Sequence, residues 1–192
     1  MRLTVLIGIA LSIALMCSTL TCAERRGAVP ATQRVGGDDV EYESRTGHFS
    51  LRYPSGWSGR STKDYTLLLE RAHSEASARV TVDVPYIPPH LPGMMTMTLV
   101  VNGYIDDLKT RLSDFTIVQR GDDTLAGAPA QRLLMTGREQ AGDRPGEQRR
   151  IAALIAIHDE QVYILQADAT PEQIESARLA MAGITAAWVW TK

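Results

Sequence analysis

Residues 150–157 read RIAALIAI, and this stretch decides the fold. Along an extended chain Ile151, Ala153, Ile155 and Ile157 point one way and Ala152, Leu154 and Ala156 the other. Both parities are apolar, so a strand here lies inside a sheet with material packed on each face. The flanking residues supply its partners. After His158-Asp159-Glu160 the chain reverses into VYILQA (162–167), and upstream EQAGDRPGE (139–147) is the polar tip of a hairpin leading back to an extended run over 125–136. Further upstream, residues 115–119 predict another strand, with a turn at Gly121-Asp122-Asp123.

A second alternating stretch opens the domain. In GHFSLRYPSGW (47–57) Phe49, Leu51 and Tyr53 share one face and Ser50 and Arg52 the other. Pro54 stops the strand, Ser55 and Gly56 turn it, and Trp57 arrives at a sheet edge with its body over the core and its indole N–H toward water. Tyr65, Leu67 and Leu69, then Val80, Val82 and Val84, repeat the alternation on either side of a polar turn at 73–77. Four prolines in PYIPPHLPGMM (85–95) exclude regular structure there. A helix follows over 96–112, with Met97, Val101, Tyr104, Ile105, Leu108 and Leu112 on one face. A second starts at Thr170-Pro171-Glu172-Gln173, where threonine caps and Gln173 closes a capping box; Ile174, Ala177, Met181 and Ile184 form its buried stripe. Trp188-Val189-Trp190 ends the chain as a short strand or helix extension. These pieces predict an α+β fold, an antiparallel β-sheet sandwiched by helices.

With 192 residues, 44% hydrophobic and 22% charged, the chain has the size and composition of one globular domain. Met1-Arg2 and the apolar run ending at Met16 are too short to span a bilayer and predict an export signal, residues 1–23, cleaved after Ala23. Residues 24–45 then read as a flexible leader and 46–192 as the domain, without a transmembrane segment in the mature chain. Cleavage removes Cys17 and Cys22 and with them any disulfide framework; the alternative is a lipid anchor on Cys22. The mature chain keeps 19 basic against 22 acidic residues with no basic face, which argues against nucleic acid as a partner.

The order of these pieces resembles the PsbP-like superfamily of extrinsic photosystem II subunits, a eukaryotic Ran-binding import factor and small exported bacterial proteins and lipoproteins. The residues that carry it are FSLRYPSGW (49–57), LAGAPAQR (125–132) entering a long strand, the glycine-containing hairpin, and the closing amphipathic helix with Trp188. The resemblance spans residues 47–190 and implies an α/β/α sandwich that binds another macromolecule without catalysis. It transfers no catalytic residue. The chain departs from the plant subunits in its proline-rich 85–95 loop and in lacking their lysine-rich character.

No catalytic or cofactor-binding residue is legible. Ser55 lacks the Gly-x-Ser-x-Gly elbow, and there is no His-Glu-x-x-His, Cys-x-x-Cys or glycine-rich phosphate loop. His48, His73 and His158 read as edge or surface histidines, Asp38-Asp39 and Asp122-Asp123 as turn carboxylates, and Arg149-Arg150 as strand-edge charge that discourages sheet-to-sheet pairing. His90, Met94, Met95 and Met97 are soft donors suited to Cu(I), but methionines at such a place also fill gaps where a loop meets a helix. The leading expectation is an exported, non-enzymatic binding or accessory protein that meets a protein partner through the loop 85–97, with Tyr86, Ile87, His90, Leu91 and Met94 as contact residues. The alternatives are a periplasmic copper-handling protein and a hydrolase with dispersed residues.

Overall fold

A computed structural model describes residues 32–36, 39–71, 78–87, 95–141 and 144–192. In chain order these form β1 (Thr32–Gly36), β2 (Asp39–Ser44), β3 (Phe49–Pro54), β4 (Trp57–Arg60), β5 (Leu67–Arg71), β6 (Arg79–Asp83), α1 (Met97–Arg111), β7 (Leu112–Leu125), β8 (Ala128–Ala141), β9 (Arg144–His158), β10 (Gln161–Ala169), α2 (Ile174–Ala186) and β11 (Val189–Trp190). The strands make two antiparallel sheets, β1-β2-β3-β11 and β4-β5-β6-β10-β9-β8-β7.

RIAALIAI lies in β9, between β10 and β8, and its two parities go to two cores. Ile151, Ala153 and Ile155 meet Val101, Ile105 and Leu108 of α1; Ala152, Leu154 and Ala156 meet Ala177, Met181 and Ile184 of α2 together with Phe49 and Leu51 of β3. Both faces are covered, but unequally. One face has a helix, and the other shares α2 with β2 and β3 of the four-stranded sheet, so the fold is a sheet-dominated α+β fold rather than a sheet between two helical layers.

The extra cover comes from residues expected to be a leader. β2 buries Val40, Tyr42 and Ser44 in strict alternation, and the Tyr42 hydroxyl donates to the Thr66 carbonyl at 2.9 Å, so the folded body begins upstream of Gly47. Trp57 does stand on the edge strand of the larger sheet with its ring buried, but Pro54-Ser55-Gly56 does more than end a strand: it passes the chain from one sheet to the other.

Two turns differ from expectation. β7 runs straight through 121–123 and reverses instead at Ala126-Gly127, both in the left-handed region (φ 46° and 83°), where the missing Cβ of Gly127 removes the steric cost. Strands β8 and β9 pair out to Ala141 and Arg144, so most of the expected hairpin tip is ladder. At the start of α2 the capping box does not form. The Thr170 carbonyl accepts from the amides of Gln173 and Ile174, both at 3.0 Å, and the regular helix begins one turn later than the threonine. Helix α1 matches its pattern: Thr96 Oγ1 accepts from the Leu99 amide at 3.2 Å, and Val101, Tyr104, Ile105 and Leu108 are buried.

Candidate functional site

A helix with its side chains is about 10 Å wide, whereas strands stand about 4.8 Å apart, so one helix covers only part of a seven-stranded face. Helix α1 rests mainly on β7, β8 and β9, touches β10 through Tyr104, and covers the β10–β6 side of that face only in part. The result is a groove of about 710 Å³. Thr81 and Asp83 of β6 with Val162, Ile164 and Gln166 of β10 form its floor. Leu99, Val100 and Gly103 of α1 form one wall; Pro85, Tyr86, Ile87 and Met95 form another. Asp64, Tyr65, Asp107 and Arg111 complete the lining.

Most of this lining is aliphatic or aromatic, and much of it is open to solvent: Tyr86 is 78% exposed and Leu99 56%. A Cβ added at Gly103 would meet nothing within 4 Å, so the wall is recessed there. Where the floor is polar it is satisfied. The buried Tyr104 hydroxyl donates to Gln166 Oε1 at 2.7 Å, and burial pushes its phenol pKa far up, which keeps it neutral and a donor. Arg111 Nη2 donates to Asp107 Oδ2 at 2.7 Å one helical turn away.

Two residues beyond Gln166 on the same face of β10, Asp168 holds a buried ion cluster. Its Oδ2 accepts from Arg79 at 2.6 and 3.0 Å, and its Oδ1 accepts from Arg149 at 2.8 Å. Burial alone would lower the pKa of Arg79, but the Asp168 carboxylate outweighs it and raises the value above the ordinary one. The Arg149 side chain is 2% exposed and also meets Glu147 at 3.0 Å and Glu139 at 3.6 Å. Arg149 is therefore an interior countercharge in β9, correcting the reading of Arg149-Arg150 as strand-edge charge; only Arg150 is exposed.

Of the loop residues singled out in the sequence, Tyr86, Ile87 and Met95 line the groove; His90, Leu91 and Met94 lie outside the described residues. Met95 and Met97 are part-buried against the α1 core, the packing role open to methionine there. Among the described residues no three His, Cys, Asp or Glu side chains are placed to hold a metal ion. His48 is exposed in a turn, His73 lies outside the described residues, and His158 stacks on Trp190 with ring centroids 4.1 Å apart. Asp122 accepts from Gln131 and Asp123 pairs with Arg132, so both sit on a strand rather than in a turn; Asp38, Ala23 and Cys22 lie outside the described residues. Among those residues no helix is long and apolar enough to cross a membrane. Sequence reasoning missed Leu99, Val100 and Gly103, whose only signal was two aliphatic residues off the main stripe of α1, and it missed Asp64 and Gln166 altogether.

No protein-family model matches the chain, and no curated protein matches it in sequence. Solved structures do share its fold. Cyanobacterial PsbP (CyanoP) from Synechocystis superposes with a TM-score of 0.58 at 13% identity, over 85% of this chain and 99% of that one. LpqN of Mycobacterium tuberculosis, involved in cell envelope biogenesis, gives 0.55 at 17% identity over 85% and 91%. The Saccharomyces cerevisiae Ran-binding protein Mog1p gives 0.55 at 10% identity over 85% and 97%. The chain has a PsbP-like fold.

Proposed function

We propose that the protein is an exported, non-enzymatic binding or accessory protein whose groove beside α1 receives an apolar segment of a protein partner. The observation that carries this reading is the open, largely apolar groove of about 710 Å³ with Leu99 and Tyr86 exposed in its walls. Concave apolar surface left uncovered costs hydration free energy, and such clefts on rigid sheets are where ligands dock. Fold neighbours include a protein that binds Ran and one that serves cell envelope biogenesis, which supports an accessory role in the envelope for this chain after cleavage at Ala23. Tyr86 and Ile87 stand in the groove wall, which supports the loop 85–97 as a contact segment.

Photo-crosslinking in cells tests this. A photoreactive residue replacing Leu99, in the groove, captures a protein partner; the same residue replacing Leu179, 66% exposed on α2, does not. Equal capture at both positions, or capture at Leu179 alone, removes the groove as the binding surface.

A further inference from the structure

Strand β11 closes one edge of the four-stranded sheet with two residues, Val189 opposite Ser50 and Trp190 opposite Phe49 of β3. So short a strand supplies few ladder bonds, and the Thr191 amide adds one, donating to the His48 carbonyl at 2.9 Å. Much of its hold comes from one side chain. Trp190 donates from Nε1 to the Ala126 carbonyl at 3.1 Å, leans on Tyr163 with ring centroids 4.8 Å apart, and carries the His158 imidazole stacked on its face at 4.1 Å and 18°. β11 belongs to the smaller sheet, whereas His158 and Tyr163 lie on β9 and β10 and Ala126 in the β7–β8 turn of the larger one, so this ring fastens the last strand across both sheets.

Of the described rings set against Trp190, which are His158, Tyr163 and Trp188, only the imidazole changes charge between about pH 5 and 8. Burial raises the Tyr163 pKa, which keeps its phenol neutral there. The charges near His158 are those of its own turn, Asp159 with Oδ2 3.5 Å from Nε2 and then Glu160. Lys192 follows Trp190 two residues on, and Ala126-Gly127 brings no charge. His48, in the turn before β3, is exposed. Protonation therefore sets an imidazolium over the electron-rich face of Trp190, the geometry of a cation–π contact. The stack outweighs the ion pair, because Asp159 is 88% exposed and a pair so solvated contributes little.

We propose that His158 and Trp190 form a pH-sensitive latch that holds β11 on β3 more tightly in mild acid than at neutral pH. Opening it uncovers the outer edge of β3 at Phe49 and Ser50, whose backbone groups are then free to pair with another strand.

Hydrogen exchange of the Thr191 amide and the Trp190 indole N–H, the two protons the latch holds, is followed by NMR in the mature protein at pH 5.5 and 7.5. Rates are corrected for the intrinsic pH dependence of exchange, so that they report local opening. Protection is expected to be about two- to fivefold greater at pH 5.5, the range an exposed cation–π contact supplies. His158→Gln removes the difference, and His48→Gln keeps it. Equal or smaller protection at pH 5.5 in the wild-type protein overturns the latch without recourse to any variant. A difference that survives in His158→Gln overturns it as well.

Discussion

The hydroxyl of Tyr104 donates to Gln166 Oε1 at 2.7 Å, and this one buried bond ties helix α1 to strand β10 across the floor of the groove. Tyr104→Phe keeps the ring but leaves the Gln166 oxygen buried with its partner lost. The expected cost is about 1–3 kcal/mol, measured by urea denaturation. A hydrophobic replacement at both positions, Tyr104→Phe with Gln166→Leu, recovers part of that loss, because the unsatisfied acceptor is then gone as well.

Asp168 is the shared acceptor of two arginines from different strands, Arg79 at 2.6 Å and Arg149 at 2.8 Å. Asp168→Ala strands a fully buried guanidinium near Glu147 and Glu139, which are half-exposed and hold it less well. Removing one partner of a buried pair costs about 3–5 kcal/mol, so this variant unfolds at markedly lower denaturant concentration. A stability equal to wild type contradicts the assignment of Asp168 as the hub of the cluster.

Glu172, exposed in the turn before α2, has its carboxylate held by its own backbone N–H and the Thr170 hydroxyl, which lowers its pKa from the ordinary 4.5. A folded-state pKa below the unfolded one gives stability that is complete above pH 4.5 and fades as pH falls through the lowered value. Glu172→Gln therefore flattens the dependence of stability on pH in that acid range and leaves the neutral-to-alkaline dependence unchanged. Denaturation curves collected at several pH values show the difference.

Gly103 lies within α1, and nothing stands within 4 Å of the Cβ it lacks. Gly103→Ala removes unfolded-state freedom without a clash and raises stability by about 0.5–1 kcal/mol in thermal or urea unfolding.

How much of this was legible follows from where each signal resides. RIAALIAI declares a doubly covered strand because every one of its own residues reports on the environment, and Val101, Tyr104, Ile105 and Leu108 declare α1 in the same way. β2 was hidden because Glu41 and Glu43 interleave with only Val40 and Tyr42, a pattern as compatible with a polar leader as with a half-buried strand. Gly121-Asp122-Asp123 has the composition of a turn that ends a strand at Gln119, yet on an edge strand those carboxylates stay solvated and reach Gln131 and Arg132 across the ladder. The burial of Arg149 could not be read locally, since its countercharge is 19 residues away on β10. The groove was half visible: 85–87 stood out by composition, but its floor and far wall come from 64–65, 81–83, 99–111 and 162–166, brought together only by the sheet order.

The proposal that the groove beside α1 engages a protein partner requires that groove to be empty and accessible. Gly103→Trp fills it from an exposed helix position without touching either core, so isothermal titration of the crosslinked partner, purified, against wild type and this variant addresses the proposal directly. The expected result is at least about a tenfold loss of affinity, equivalent to about 1.4 kcal/mol, with circular dichroism and unfolding midpoint retained. An affinity equal to wild type with the groove so filled contradicts the proposal.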